Sequence, residues 1–360
     1  MKVLQVHTRY REEGGEDAVV RAEGELLAGA GHDVVSYTAR NPSGPVPSAV
    51  GLAMSPWNPL AARELSQLAE RIRPDVAHVH NTWFALSPAA VAALDRAGVP
   101  VIVTLHNYRL LCANGQLFRD GRPCQDCVGS HPWHGVRHRC YRGSALVSTP
   151  AGATIALNRR RQTWDRHVAV FLATTEFARQ RFIAGGLPGE RIWVKPHFVD
   201  DPGPRARPPS RSRTVLFVGR LSREKGVDVL LEAIARLEEH DLDWVIVGTG
   251  PELDSLRRRA GPRVRFAGLL ERERVRDELR RARALVFPSV CYETFGMSMV
   301  EAMASGLPII ASDLGGTPEI VGEQAGRVVP PGDVAAWTEA LRSLADDKFV
   351  DRVGAAGRQR

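Results

Sequence analysis

Two carboxylates and a glycine stand close together near residue 295, in a pattern that could bind a sugar or a phosphate. The segment reads Glu293-Thr294-Phe295-Gly296-Met297-Ser298-Met299-Val300-Glu301. Gly296 precedes good helix formers, so the segment predicts a helix whose N-terminal amides favour an anion such as phosphate. At a rise of 1.5 Å per helical residue, the carboxylates of Glu293 and Glu301 would lie on the order of 10 Å apart on one side.

That separation distinguishes between two kinds of carboxylate chemistry. A retaining glycosidase places its two carboxyl groups roughly 5 Å apart, so Glu293 and Glu301 do not form such a pair. An ionised carboxylate accepts hydrogen bonds from neighbouring hydroxyls, and two separate carboxylates therefore suit two diols, one on a sugar and one on a ribose. The alternative is two surface glutamates near a helix start, one of which complements the helix dipole.

A second candidate site is the basic turn that follows the apolar run at 214–218. It reads Gly219-Arg220-Leu221-Ser222-Arg223-Glu224-Lys225-Gly226. Arg220 and Lys225 are placed to bind a diphosphate through charge-assisted hydrogen bonds of about 1.5–3 kcal/mol each. The alternative is a solvated basic loop. A similar turn, Gly248-Thr249-Gly250-Pro251, follows the apolar run at 243–247, although a single G-x-G is a weak signal.

Cysteines and histidines are concentrated in the segment 112–140. The cysteines are Cys112, Cys124, Cys127 and Cys140, and the histidines are His131, His134 and His138. Four thiolates, two of them in a C-x2-C spacing, are enough for a closed tetrahedral zinc site, and a histidine could replace one of them. The segment therefore predicts a structural zinc that orders a long loop. Reduced thiols without metal, or disulfides, are the alternatives.

Alternating strand-like and helix-like segments must position these groups. Apolar runs typical of buried strands cover 2–7, 33–37, 75–80, 100–105, 168–173, 214–218, 243–247, 263–267, 284–287 and 307–311. Helix-period segments lie between them, for example over 59–72 and 227–239. Such alternation predicts βαβ units, and hence α/β domains with doubly wound parallel sheets. Ligands of these sheets bind at the carboxyl ends of the strands.

The domain boundary is visible in the composition of residues 200–213. This segment holds four prolines and four arginines and has no apolar periodicity, so it predicts a linker. It separates residues 1–199 from residues 214–360, each long enough for a doubly wound sheet. Two such domains joined by a linker suggest a ligand held in the cleft between them.

Composition and charge restrict the class of protein. Of 360 residues, 44% are hydrophobic and 25% charged, which excludes disordered and collagen-like chains, and five cysteines are too few for a disulfide scaffold. The net charge is +7, and residues 131–167 hold seven arginines against one aspartate. We expect this segment to meet phosphate or an anionic membrane. The alternative is an arginine-rich surface without a partner.

No signal peptide is visible, and no apolar stretch is long enough to span a membrane. We therefore expect a cytoplasmic protein with reduced thiols, in peripheral contact with the inner face of the membrane where the basic segment meets anionic lipid. We expect no nucleic-acid partner.

In their order along nearly the whole chain, these motifs resemble those of the nucleotide-sugar-dependent glycosyltransferases of family 4, whose GT-B fold has two Rossmann-like domains. The matching segments are Gly14-Gly15, Gly219-Arg220…Lys225, Gly248-Thr249-Gly250-Pro251, Phe266-Ala267-Gly268-Leu269-Leu270, Glu293…Glu301 and Asp313-Leu314-Gly315-Gly316-Thr317-Pro318-Glu319. The resemblance implies an acceptor-side domain at 1–199 and a nucleotide-sugar-binding domain at 214–360. The insert at 112–140 resembles one subset of the family, and we expect it to shape the acceptor side.

The resemblance also implies roles for single residues. Arg220 and Lys225 would bind the donor diphosphate, Glu293 the transferred sugar and Glu301 the ribose. His106, at the end of the run 100–105, would contact the donor sugar near the bond that breaks; its alternative is a strand-end cap. The implied catalytic set is His106, Arg220, Lys225 and Glu293. The implied donor-binding set is Gly14, Gly15, Arg220, Lys225, Gly250, Leu269, Leu270, Glu293, Phe295, Gly296, Met297, Ser298, Met299 and Glu301.

The implied reaction is hexose transfer from a nucleotide-diphosphate sugar to a glycan, a lipid-linked or a small-molecule acceptor, with retention of configuration. No metal would be needed for catalysis, because arginine, lysine and helix dipoles would stabilise the charge on the leaving diphosphate. A sugar-nucleotide epimerase and a non-catalytic nucleotide-sugar-binding protein are the alternatives. The family usually ends with a helix that returns to the first domain, and since the sequence stops at Arg360 we expect a truncated C-terminus.

Overall fold

The computed structural model describes residues 1–9, 14–237 and 241–360, which fold into two α/β units. The first unit comprises Met1–Leu117 and Cys124–His197, and the second comprises Phe118–Pro123 and Phe198–Arg360. A six-stranded parallel sheet lies in each unit. The predicted α/β class with two doubly wound parallel sheets is confirmed.

Strands and helices alternate along most of the chain. The strands are β1 (Lys2–Arg9), β2 (Asp33–Arg40), β3 (Val76–Asn81), β4 (Val101–Leu105), β5 (Phe118–Arg119), β6 (Arg122–Pro123), β7 (Val170–Ala173), β8 (Ile192–Val194), β9 (Thr214–Val218), β10 (Asp243–Val247), β11 (Val264–Gly268), β12 (Ala284–Phe287), β13 (Ile309–Ser312) and β14 (Gly326–Val329). The helices are α1 (Gly15–Gly29), α2 (Pro45–Ala53), α3 (Pro59–Ile72), α4 (Ala89–Arg96), α5 (His134–Arg137), α6 (Ala145–Arg160), α7 (Thr163–His167), α8 (Glu176–Ala184), α9 (Val227–Ala235), α10 (Leu253–Arg259), α11 (Arg272–Arg281), α12 (Met297–Ala304), α13 (Thr317–Val321), α14 (Val334–Arg342) and α15 (Asp347–Gln359).

The strand order places one topological switch point in each sheet. The first sheet runs β2-β1-β3-β4-β7-β8 and the second β11-β10-β9-β12-β13-β14. The order therefore reverses between β1 and β3 in the first sheet and between β9 and β12 in the second. Ligands of open α/β sheets bind beyond the carboxyl ends of the strands at such points. A separate two-stranded antiparallel hairpin, β5 with β6, lies within the predicted cysteine-rich loop.

Local sequence explains why individual helices begin and end where they do. In α3 the Asn58 side chain caps the start, accepting hydrogen bonds from the Leu60 and Ala61 amides at 3.1 and 3.2 Å. Pro59 takes the first helical position, where no backbone N–H is needed. Ala61, Leu65 and Ala69 are buried at intervals of four residues, so one stripe of the helix faces the core.

The second sheet has an apolar core on both faces because helices cover both. Trp244 and Trp337 are buried together in one cluster, and Leu285 and Met299 in another. The first sheet differs, because one of its faces carries buried polar side chains beneath α1, among them Gln5, His78 and His80.

Two arginines hold the predicted linker, residues 200–213, against the second unit. Arg205 donates hydrogen bonds to the carbonyl oxygens of Leu279, Ala282 and Ser305 at 2.7–3.1 Å. Arg283, only 4% exposed, donates to the carbonyl oxygens of Ser210, Ser212 and Leu344 and to the carboxylate of Asp347. The linker is therefore fixed to the second unit, through the Arg205 side chain of the linker and through the linker carbonyls that Arg283 binds.

Replacing Arg283 by methionine should destabilise the second unit by about 2–4 kcal/mol, because one buried and two partly buried carbonyl oxygens lose their donor. Chemical denaturation followed by circular dichroism measures the change. The matched control is Arg342→Met, which removes an exposed ion pair with Glu339 and should cost less than about 1 kcal/mol. Equal losses for the two variants would contradict this role of Arg283.

Candidate functional site

The second unit brings most of the predicted donor residues to one edge of its sheet. The basic turn at 219–226 follows β9, the turn at 248–251 follows β10, Leu269 and Leu270 follow β11, and the segment 293–301 follows β12. These four strands are neighbours in the order β11-β10-β9-β12. The sheet topology thus collects four segments that are far apart in sequence at the switch point between β9 and β12.

An ion pair between Lys225 and Glu293 lies at the centre of this edge. The Lys225 Nζ is 2.6 Å from the Glu293 Oε1, and the two side chains are 22% and 12% exposed. Ser289 Oγ donates to the same oxygen at 2.6 Å, and the Cys291 thiol lies 3.7 Å from it. All three groups contact Oε1 and none of them contacts Oε2. They therefore fix the orientation of the carboxylate.

The electrostatics keep this pair charged. Burial is the largest single influence on the pKa of Lys225 and lowers it, but Glu293, Cys291 and Glu224 together outweigh burial and hold that pKa above its ordinary value. The ammonium also lies 5.7 Å from the centre of the Phe287 ring. Lys225 is therefore a permanent cation, and Nζ carries further protons that could reach an anionic ligand.

Two glycines allow the turns around this pair to approach each other. Gly248 has φ +135° and Gly226 has φ +63°, conformations that side chains rarely adopt. A Cβ at Gly248 would overlap the Gly219 carbonyl oxygen, and one at Gly226 would overlap the Pro288 carbonyl oxygen. Only glycine fits these positions while the loops keep this geometry.

The start of α12 offers backbone donors beside the ion pair. Gly296 precedes the helix without a side-chain cap, and the Met299 amide donates to the Gly296 carbonyl oxygen at 2.9 Å. The Met297 and Ser298 amides have no acceptor within the helix, as expected for the first residues of any helix. They can therefore donate to an anion.

The other predicted donor residues differ in their exposure. Arg220 is exposed, Leu269 is 77% exposed, and Leu270 and Phe295 are partly buried against the core. Met299 is fully buried, so its side chain belongs to the core and cannot meet a ligand. Burial raises the pKa of Glu301, and Arg272 and Arg276 oppose that rise.

The remaining predicted residues lie in the first unit. Gly14 precedes α1, and its amide donates to the Asp17 Oδ2 at 2.9 Å, while Gly15 is the first helical residue. His106 lies one residue beyond β4, and its Nε2 is 3.0 Å from the His80 Nδ1. The contact of His106 with a donor sugar stays a prediction. A cavity of about 50 Å³ lies beside His80 and His106.

A row of buried histidines crosses the first sheet, and the sequence did not predict it as a group. Its members are His7, His78, His80, His106 and His197. Burial lowers the pKa of every ring, to about 4 for His78 and about 3 for His197. The available signal was the H-x-H spacing of His78 and His80, since alternate residues of a strand share a face.

The cysteine-rich segment, predicted to be a loop with zinc, contains β5, β6 and α5. None of the five cysteines, all within the described residues, forms a disulfide. Burial, and then the neighbouring Cys112, raise the pKa of Cys127 to about 12. In the described part of the chain, the only group of three or more potential metal ligands that all lie within 4.8 Å of one another is Glu23, His78 and His80. Zinc at the cysteines therefore stays a prediction.

Two family models match the chain, one in each half. The model of Glycosyltransferase Family 4 matches residues 14–201, and the model Glycosyl transferases group 1 matches residues 212–347. The glycogen synthase of Mycobacterium tuberculosis is 29% identical over 406 aligned residues, which cover 100% of this chain and 90% of the relative. The phosphatidyl-myo-inositol mannosyltransferase of Mycobacterium leprae is 38% identical over 157 residues, 41% of this chain and 42% of the relative.

Solved structures resemble the whole chain. Anabaena HepE in complex with UDP and glucose has a TM-score of 0.67 at 19% identity, covering 100% of this chain and 94% of that one. Sucrose-phosphate synthase from Thermosynechococcus elongatus has a TM-score of 0.72 at 20% identity, with the same coverage. Likeness at this identity shows the fold. Among the described residues, no helix has the length and apolar character that crossing a bilayer requires.

The buried histidines should make the first unit sensitive to acid. His197 has a pKa lowered to about 3 by burial and by the charge of Lys195, so its contribution to stability is complete above its unfolded pKa near 6.5 and falls as the pH drops toward 3. Between pH 7 and 5 we expect His197 alone to remove about 2 kcal/mol of stability. Denaturation curves of metal-free protein at the two pH values measure the loss.

His197→Asn should reduce that loss by about 2 kcal/mol, whatever its effect at neutral pH. The exposed His131→Asn is the control and should keep the pH dependence of the unaltered protein. An unchanged dependence in His197→Asn would contradict the assignment.

Proposed function

Because the chain belongs to glycosyltransferase family 4 and has the GT-B fold predicted for it, we propose that it transfers a hexose from a nucleotide-diphosphate sugar with retention of configuration. The family establishes a glycosyltransferase that uses a nucleotide sugar. Hexose specificity, retention and a catalytic step without metal are the proposal. Its acceptor would be a glycan, a lipid-linked or a small-molecule acceptor, recognised by the first unit.

The Lys225–Glu293 ion pair carries this proposal. With Oε1 of Glu293 held by three donors, Oε2 can accept a hydroxyl of the transferred sugar. Lys225 has protons left over for an oxygen of the donor diphosphate. The ion pair therefore holds Glu293, which would bind the sugar, next to Lys225, which would bind the leaving diphosphate, before any donor binds.

The same groups account for how transfer would be accelerated. The bond between the anomeric carbon and the β-phosphate oxygen breaks, and the acceptor hydroxyl oxygen forms its bond to that carbon on the same face while its proton passes to the leaving diphosphate. Negative charge grows on the diphosphate as the first bond breaks, so Lys225, Arg220 and the α12 amides interact more strongly with the transition state than with the bound donor. Preorganised donors of this kind contribute about 10²–10³-fold each to the rate.

The relatives support a nucleotide-diphosphate donor. The HepE structures contain UDP or UDP-glucose, and the two relatives described above are a glycogen synthase and a phosphatidyl-myo-inositol mannosyltransferase. Nothing in these names fixes the base or sugar for this chain. Glu301, about one turn into α12, is our candidate for binding the ribose. Leu269 and Leu270 are our candidates for contacting the base.

Thermal shift with UDP-, GDP-, ADP- and TDP-sugars should identify one donor class that stabilises the protein. Lys225→Ala should weaken binding of that donor about 10–100-fold, since a charge-assisted bond is worth about 1.5–3 kcal/mol, and Glu293→Ala should abolish turnover. The matched control is Arg223→Ala, a cation of the same turn whose side chain is 81% exposed and directed to Glu252. Unaltered behaviour of both site variants would overturn the site.

Incubation of the donor without acceptor separates the alternatives. An epimerase would convert it to an isomeric nucleotide sugar, and a non-catalytic binding protein would be stabilised by donor yet transfer nothing to any acceptor. A transferase should release the nucleotide diphosphate when an acceptor is present, and the anomeric configuration of the product, read by NMR, tests retention.

We also propose that the first unit contacts anionic membrane. Three arginines are exposed: Arg137, Arg139 and Arg142. Leu146, the second residue of α6, is 84% exposed. Helix α2 packs against α6, and its Val46 is 72% exposed. Exposed arginines beside exposed aliphatic side chains suit a surface that meets lipid headgroups.

Binding to vesicles with anionic lipid should exceed binding to neutral vesicles and should weaken as salt rises, because the attraction is screened. Arg139→Ser with Arg142→Ser should lower the affinity about 30-fold, given roughly 1 kcal/mol per basic residue near the surface. Arg213→Ser with Arg259→Ser, two exposed arginines elsewhere, is the control. Equal binding to neutral and anionic vesicles would refute this contact.

A further inference from the structure

Three ligand atoms converge on one buried point in the first unit. The Glu23 Oε2 lies 3.6 Å from the His78 Nδ1 and 3.7 Å from the His80 Nε2. The three side chains are 5%, 10% and 0% exposed. His78 and His80 are alternate residues of β3 and therefore share a face, and Glu23 is presented to them by α1.

The remaining polar atoms of these side chains are already engaged. His78 Nε2 is 2.7 Å from the Thr104 Oγ1, and His80 Nδ1 is 3.0 Å from the His106 Nε2. Lys195 donates to the Glu23 Oε1. The atoms directed at the common point are the His78 Nδ1, the His80 Nε2 and the Glu23 Oε2, and the last of these is buried with no hydrogen-bond partner among the described residues.

A buried carboxylate oxygen without a donor is costly, and such an atom in a folded protein calls for a bound ion or water. Ligand atoms about 2.1 Å from a tetrahedral ion lie about 3.4 Å from one another. The observed separations of 3.6 and 3.7 Å come within a few tenths of an ångström of that value. The nearest further polar atom, the Gln5 Nε2, lies 3.4 Å from the His80 Nε2 and is bonded to the Val20 carbonyl oxygen.

We propose that Glu23, His78 and His80 bind one divalent transition-metal ion, with Zn²⁺ as the expected occupant. Two imidazole nitrogens and one carboxylate oxygen form a donor set that Zn²⁺ prefers. Lys195 orients the carboxylate from its other oxygen, as supporting residues do at metal sites. Because the site is sealed from solvent, the ion is structural: it joins α1 to β3. This inference does not depend on the transfer activity proposed above.

Untagged protein, stripped with a chelator and dialysed, is titrated with Zn²⁺ by calorimetry and with Co²⁺ by visible absorption. We expect one tightly bound ion per chain in a site of nitrogen and oxygen ligands, and a higher melting temperature with Zn²⁺. The cysteine-rich segment is a second candidate for zinc, and a Co²⁺–thiolate charge-transfer band reveals ligation by cysteine. If the unaltered protein binds no ion, or binds it only through thiolates, the proposal fails.

Variants assign the ion to its ligands. Glu23→Gln and His80→Gln should each weaken Zn²⁺ binding more than about 100-fold, because supporting partners alone are worth 10–100-fold. Cys124→Ser with Cys127→Ser should leave this ion in place. The matched control is His167→Gln, which removes a histidine 2.8 Å from the Asp95 carboxylate, a pair without a third ligand. Circular dichroism confirms folding, and unchanged Zn²⁺ affinity in folded Glu23→Gln would overturn the proposal.

Discussion

The contact of the Lys225 ammonium with the Glu293 carboxylate is the interaction on which the proposed donor site of the second unit depends. It links the turn after β9 to the segment after β12, the two strands between which the sheet order reverses. A largely buried ion pair is costly to desolvate, and apolar residues of similar volume would often stabilise a protein better. The pair is therefore better explained by what it does for a ligand than by what it adds to folding.

Around that pair, backbone geometry is as constrained as side-chain chemistry. Gly226 and Gly248 adopt positive φ in places where a Cβ would meet a carbonyl oxygen of the adjoining loop. The Gly316 amide donates to the Glu293 carbonyl oxygen at 3.1 Å, which ties the segment after β13 to the same residue. The loops after β9 and β13 thus contact Glu293, and the loop after β10 packs closely on the loop after β9, where only glycine fits at position 248.

The fold was largely predictable because buried parallel strands are continuous apolar runs. Strands β9, β10 and β12 occupy the predicted residues 214–218, 243–247 and 284–287. Helix α9 follows the predicted start at 227 and ends at Ala235, while residues 238–239 of that prediction lie outside the described residues. The sequence did not predict strand β14, because its four residues are half exposed. It did not predict helix α6 either, because Pro150 and the serine and threonine residues interrupt the apolar helical periodicity.

The candidate site was predictable only where its chemistry is local in sequence. The basic turn and the segment 293–301 are each recognisable from their own sequence. The sheet topology then brings them together, because β9 and β12 are neighbours. The row of histidines has no such signal, since His7 lies in β1, His106 follows β4 and His197 follows β8, and each alone is typical of a buried polar residue. Their proximity follows from the order and register of the strands, and neither can be predicted from one sequence alone.

The two units therefore use opposite electrostatic designs. The second has an apolar core on both faces of its sheet, and its ion pair of Lys225 and Glu293 lies in the loops at the sheet edge. The first buries imidazoles and Glu23 across a sheet face, with the partly exposed Lys195 bonded to Glu23, so its polar groups must satisfy one another. Where they do not, at the Glu23 Oε2, the interior has a place for a cation, and the stability of this unit becomes dependent on what solution supplies, protons or metal ions.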